Sequence, residues 1–127
     1  MAYILVADDD DILAELLQFH LEASGYEVCV TEDGEAALEQ ARSRTPDQII
    51  LDSVMPILSG PEVLRILQSE SRLSEVPVLM LTARARQDDI VDALEGGASE
   101  YMTKPFIPKN LLASVEKLLS VPSSPGR

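Results

Sequence analysis

Ile4-Leu5-Val6-Ala7-Asp8-Asp9 is the stretch that decides the fold: four apolar residues run straight into two carboxylates. The same step recurs along the chain. Asp52 follows Ile49-Ile50-Leu51, Thr82 follows Val78-Leu79-Met80-Leu81, and Lys104-Pro105 follow Tyr101-Met102-Thr103. Each apolar run is short and unbroken, which reads as a strand buried on both faces of a parallel sheet. In an open α/β sheet the ligand site lies at the carboxyl ends of the strands. If these strands are neighbours, three carboxylates, a hydroxyl and an ammonium converge there. Such a set suits a cation together with an anionic group.

Helix-period segments separate the runs. Strands are predicted near residues 3–7, 26–30, 47–52, 77–81 and 99–103, and helices near 10–24, 34–44, 59–70, 87–95 and 108–120. This alternation implies right-handed crossovers with helices on both faces of the sheet. Gly25 is a candidate C-cap of the first helix, and Asp33-Gly34 and Thr45-Pro46 bracket the second. Ser59 is a candidate N-cap with Pro61 in the first turn, Gly96-Gly97 end the fourth helix, and Pro108 fits the first turn of the fifth. Ile12, Leu13, Leu16, Leu17 and Leu21 form a core-facing stripe on the first helix, with His20 near its middle as a packed, hydrogen-bonded residue. Leu111, Leu112, Val115, Leu118 and Leu119 do the same on the fifth.

The chain has 127 residues, enough for one domain with one core, and 46% of them are hydrophobic, a globular composition. The net charge of −12 argues against direct nucleic-acid binding and against anionic membrane surfaces. No apolar run approaches the ~20 residues of a membrane span, and no secretory signal precedes the first strand. The single cysteine, Cys29, forms no internal disulfide and reads as a buried structural thiol in a strand, which suits a reducing cytoplasm. Residues 3–120 form the expected domain. Residues 121–127 read as a disordered tail or the start of a linker.

Four pieces, in order and at domain-wide spacing, give the chain a recognisable pattern. They are Ile4 to Asp10, Leu51-Asp52-Ser53-Val54-Met55-Pro56 with Ser59-Gly60, Leu81-Thr82-Ala83, and Gly97 to Phe106 with Lys104-Pro105 inside it. Over residues 3–120 the chain resembles the receiver domain of a two-component response regulator, the chemotaxis-regulator-like family. The resemblance implies a flavodoxin-like, doubly wound α/β fold: a five-stranded parallel sheet of order 2-1-3-4-5 flanked by five helices.

The resemblance also implies roles. Asp52, which alone would read as a strand-end turn cap, becomes the phosphoacceptor for a histidine kinase or a histidine phosphotransfer protein. Asp8 and Asp9 become metal residues. Asp9, Asp52 and the backbone carbonyl of Val54 bind Mg2+ (or Mn2+) directly, and Asp8 acts mainly through water. Adjacent carboxylates repel in a partly dry site, and a hard divalent cation relieves that. Asp8 and Asp9 also fit an acidic helix start, and Asp10 and Asp11 belong mainly to that role. Lys104 supplies positive charge to phosphoryl oxygens, aimed by a cis bond to Pro105. Thr82 and Tyr101 form a switch that alters the face made by the fourth helix, fifth strand and fifth helix. Ala83 leaves the phosphoryl group accessible. Val54 and Arg84 tune its loss, and the apolar Val54 predicts a long-lived phosphorylated form. Arg86 reads as solvated.

Winged-helix members pair through ion pairs on that same face. At the aligned positions this chain has Asp92, Asn110 and Ser114, so homodimerisation is not expected through that set. Ile12 stands where relatives often have a polar residue; if exposed, it reads first as a scattered surface apolar residue and second, beside Ala14, as part of a kinase-docking patch. The output is a downstream protein or a domain beyond residue 127. Two other readings are a pseudo-receiver that only binds partners, and an aspartate-nucleophile phosphatase. The first is disfavoured because Asp8, Asp9, Asp52, Thr82 and Lys104 are all present. The second needs a general acid where Val54 stands. Turnover of a free substrate is therefore not expected.

Overall fold

The computed structural model describes residues 1–83 and 86–120; the readings placed on Arg84 and on residues 121–127 lie outside the described residues. Strands and helices alternate as β1 Tyr3–Ala7, α1 Asp11–Ala23, β2 Glu27–Thr31, α2 Gly34–Ser43, β3 Gln48–Leu51, α3 Gly60–Ser69, β4 Val78–Thr82, α4 Gln87–Glu95, β5 Glu100–Thr103 and α5 Pro108–Ser120. The five strands pair in parallel in the order β2-β1-β3-β4-β5, the flavodoxin-like order.

The two-residue period of a strand divides the core into halves. Leu5 and Ala7 of β1, Ile49 and Leu51 of β3, and Val78 and Met80 of β4 face α2, α3 and α4. Ile4, Val6, Ile50, Leu79 and Leu81 face the other way, against Leu17 and Leu21 of α1 and Leu111, Val115 and Leu118 of α5. Both faces of the inner strands are thus buried, which is why they lack polar alternation. Each fully buried Leu or Ile contributes roughly 1.5–3 kcal/mol.

Helix ends follow the sequence chemistry. Asp10 caps α1 by accepting from the Leu13 N–H, and Asp33 caps α2 through Ala36. Ser59 and Glu62 form a reciprocal capping box on α3, with Pro61 in its first turn. Gly25 follows the α1 C-cap Ser24 with φ +96°, a conformation natural for glycine.

Four expectations need correction. Thr82 is the last residue of β4, in register with Thr103, rather than beyond the strand. Leu16 is 43% exposed, because Ile12, Leu16 and Phe19 share an outward face of α1 while Ala14, Leu17 and Leu21 turn inward. The first helix therefore carries two apolar faces, and spacing alone merged them. His20 is only half-buried and packs edge-on against the exposed Phe19 ring at 5.3 Å, outside the core stripe. Cys29 is half-buried, since β2 is an edge strand covered less completely than the centre of the sheet.

Candidate functional site

At the carboxyl ends of β1, β3 and β5 the chain gathers its charges. The ladder continues past β1: the Asp8 N–H donates to the Thr31 carbonyl at 3.1 Å, and the Asp52 N–H donates to the Ala7 carbonyl at 3.0 Å. These bonds lock the two carboxylate-bearing residues onto the sheet. Asp8 Oδ1 accepts from the Asp10 N–H at 2.9 Å, so one Asp turns into the site while Asp10 caps the helix. Asp9 is exposed, and Asp52 is 7% exposed. Carboxylate oxygens of Asp8, Asp9 and Asp52 lie within 4.8 Å of one another.

Lys104 reaches this cluster from the end of β5. Its backbone N–H donates to the Thr82 carbonyl at 2.8 Å, and its bond to Pro105 is cis. Lys104 Nζ lies 2.9 Å from Asp8 Oδ2 and 3.3 Å from Asp52 Oδ2. One ammonium therefore bridges the two buried carboxylates. Burial pushes the Asp8 carboxyl above its ordinary range; the Asp10 N–H and Lys104 pull it down, and the charge of Asp52 raises it further. Burial alone draws the Lys104 ammonium downward. Its hydrogen bond to Asp8 and the charges of Asp52 and Asp8 outweigh that, so the net direction is upward. Three carboxylates against one ammonium leave the site short of positive charge. An all-oxygen donor set with that deficit fits a hard divalent cation such as Mg2+.

Thr82 is buried at the end of β4, and Ala83 beside it is exposed. Tyr101 is half-buried in β5, in register with Met80, and so lies on the same sheet face as Thr82. Val54 is exposed two residues past Asp52, and its N–H sits 3.5 Å from Asp52 Oδ1. Asp8, Asp9, Asp52, Thr82, Ala83 and Lys104 are thus brought to one end of the sheet, with Tyr101 one step below. A residue whose role sequence reasoning missed is Gly60. A Cβ there would lie 2.2 Å from the Asp52 carbonyl oxygen, so the start of α3 presses directly on the backbone of Asp52.

A family profile described as the response regulator receiver domain matches residues 4–116. The chain belongs to the response regulator receiver family. This receiver domain is 46% identical over 116 residues to the alkaline phosphatase synthesis transcriptional regulatory protein PhoP of Bacillus subtilis, covering 91% of this chain and 48% of PhoP. It thus spans about half the length of the curated relatives it matches. Among solved structures it is similar to the receiver domain of a Francisella response regulator, with TM-score 0.88 and 32% identity, covering 94% of this chain and 97% of that one. A receiver domain of a sensor histidine kinase from Pseudomonas aeruginosa PAO1, described with a magnesium ion coordinated in its active-site cleft, superposes with TM-score 0.88 at 28% identity, covering 94% of this chain and 98% of that one. Among the described residues no helix is long and apolar enough to cross a membrane.

Proposed function

We propose that this receiver domain accepts a phosphoryl group on Asp52 from the phosphohistidine of a histidine kinase or a histidine phosphotransfer protein in the cytoplasm. The observation that carries the reading is the Lys104 ammonium bridging Asp8 and Asp52, with Asp9 close by, at the mouth of the sheet. Asp9, Asp52 and the Val54 carbonyl would hold Mg2+, with Asp8 in support. Bound there, the cation supplies the positive charge that relieves repulsion between carboxylates and phosphoryl group. An Asp52 carboxylate oxygen attacks phosphorus, the new P–O bond forms as the P–N bond breaks, and the imidazole nitrogen keeps the electron pair. Lys104 then pairs with a phosphoryl oxygen, and the Thr82 hydroxyl donates to another. Exposed Ala83 leaves the phosphoryl group open to water, while apolar Val54 gives that water no hydrogen-bond partner.

The readout is the α4–β5–α5 face. Of α4, only Ala93 is buried; Val91 and Leu94 are 42% and 45% exposed, so this helix is lightly anchored. Movement of Thr82 toward the phosphoryl group opens the space into which Tyr101 turns. The downstream target is a separate protein or an output domain of the kind that makes up the other half of the curated relatives. Ser114 donates to Glu100 at 2.6 Å within the chain, and Asp92 and Asn110 are exposed, so pairing through the winged-helix ion-pair set remains disfavoured. The outward α1 stripe of Ile12, Leu16 and Phe19, beside the site, is the surface proposed for kinase docking.

Transfer from an autophosphorylated histidine kinase, followed with radiolabelled phosphate, tests the reading. Label is expected on the wild type and not on Asp52→Asn. Label of equal intensity on that variant would move the acceptor elsewhere.

A further inference from the structure

The loop between β3 and α3 contains a residue that its own fold does not favour. Ile57 has φ +73°, and the Leu58 N–H donates to the Pro56 carbonyl at 2.8 Å across it. A hydrogen bond spanning two residues around a positive φ is the strained form of the γ-turn. Glycine or asparagine adopts such a conformation readily, whereas a β-branched residue is an outlier. Packing does not compensate, because Ile57 is 67% exposed. The folded chain thus holds a strained backbone and displays an aliphatic group to solvent, five residues beyond the acceptor.

Backbone strain that the local structure does not reward is found at functional positions. The acceptor itself narrows what the side chain meets. Asp52 is only 7% exposed, so a protein that delivers a phosphoryl group to it must press against the loops around the opening. Ile57 on the β3–α3 loop and Ile107 on the β5–α5 loop are both exposed aliphatic residues at this end of the sheet. Exposed Asp9, Asp10 and Asp11 border the same end and add negative charge. The complementary partner has an apolar contact point flanked by Lys or Arg beside its phosphohistidine.

We infer that Ile57 is a docking residue for the phosphohistidine-bearing donor protein, retained at the expense of fold stability. This rests on the phosphoacceptor reading above. A small phosphodonor reaches Asp52 without touching the loop, so only transfer from a protein depends on Ile57.

The test compares wild type with Ile57→Gly, Ile57→Asn and Ile57→Leu. Kinases of the source organism are autophosphorylated and profiled against the wild type, and the fastest donor becomes the probe; phosphoramidate with Mg2+ is the small donor. Ile57→Gly and Ile57→Asn are expected to raise Tm by roughly 2–8 °C. They are expected to keep the phosphoramidate rate and to slow transfer from the kinase by about tenfold or more. Ile57→Leu, which restores an exposed aliphatic group, is expected to keep most of the kinase rate. Unchanged kinase transfer in Ile57→Gly and Ile57→Asn overturns the inference, as does an equal fall with both donors, or the absence of any protein donor for a wild type that phosphoramidate labels. A wild type that phosphoramidate does not label contradicts the phosphoacceptor reading instead.

Discussion

Replacing Gly60 with alanine tests how tightly the α3 N-terminus is built against the acceptor. The Gly60 N–H donates to the Ser53 carbonyl at 2.9 Å, closing the β3–α3 loop. An added Cβ would stand 2.2 Å from the Asp52 carbonyl oxygen, 2.9 Å from its carbonyl carbon and 2.8 Å from Ser53 Cα. Ordinary van der Waals contact starts at 3.4 Å, so the oxygen and the helix must separate by 3.4 − 2.2 = 1.2 Å. All three obstacles are backbone atoms, which cannot swing aside as a side chain would. Overpacking of this kind costs about 1–3 kcal/mol, and rigid obstacles place Gly60→Ala toward the upper end. A shift of about 1 Å in a reacting group lowers its rate by roughly 100-fold. Thermal melting should show a Tm loss of roughly 5–15 °C, and intact-mass kinetics with a small phosphodonor should show the rate loss. Gly25→Ala is the control: it meets nothing within 4 Å and bears only the strain of φ +96°, so it should lose some stability and keep its phosphorylation rate. A Gly60→Ala protein that melts within 2 °C of wild type (about half a kcal/mol, within ordinary surface effects) and is phosphorylated at the wild-type rate would show that the α3 N-terminus does not press on Asp52.

Other outcomes follow from the same geometry. Lys104→Met leaves the buried carboxylates of Asp8 and Asp52 without their shared hydrogen-bonding cation, so urea unfolding without metal should show a loss of about 1–3 kcal/mol at neutral pH, reduced when Mg2+ is added. The Asp8 carboxyl is raised by burial above the unfolded Asp value of about 3.9. Its stability contribution is therefore complete below that value and is lost as pH rises through the folded one. In metal-free protein, Asp8→Asn should gain stability relative to wild type as pH is raised from about 4 through that window; a variant that falls further behind instead would show that the Lys104 pairing outweighs burial. Val54→Asn supplies a hydrogen-bonding group beside the acceptor and should shorten the half-life of the phosphorylated protein, read by loss of the phosphoryl mass; an unchanged half-life removes Val54 as a tuning residue.

The parallel sheet and its core were legible because the inner strands are buried on both faces and show it as unbroken apolar runs; the strand order came with the resemblance. The two faces of α1 were not separated, since Ile12, Leu16 and Phe19 are as apolar as the residues that turn inward. Whether a strand lies at an edge is a property of the sheet, not of its own residues, so the sequence around Cys29 reads as fully buried where the edge position leaves it half-buried. Thr82 closes β4 because Thr103 pairs with it, a partner 21 residues away that local propensity does not see. At the site, the charged residues stood out in the sequence, but their meeting at one place followed from the resemblance and not from spacing. The Lys104–Asp8 distance of 2.9 Å, shorter than that to Asp52, had no sequence signal. Nor did the left-handed backbone of Ile57, where side-chain type argues for the opposite conformation.

Phosphorylation of Asp52 in a site that needs Mg2+ is tested most directly by mass. Intact mass is recorded after incubation with phosphoramidate, with Mg2+ and with EDTA, for wild type and Asp52→Asn. One added phosphoryl group on the wild type, dependent on Mg2+ and absent from the variant, is the predicted result. A folded wild type that gains no mass from phosphoramidate or from any histidine kinase would contradict it and leave a domain that only binds partners.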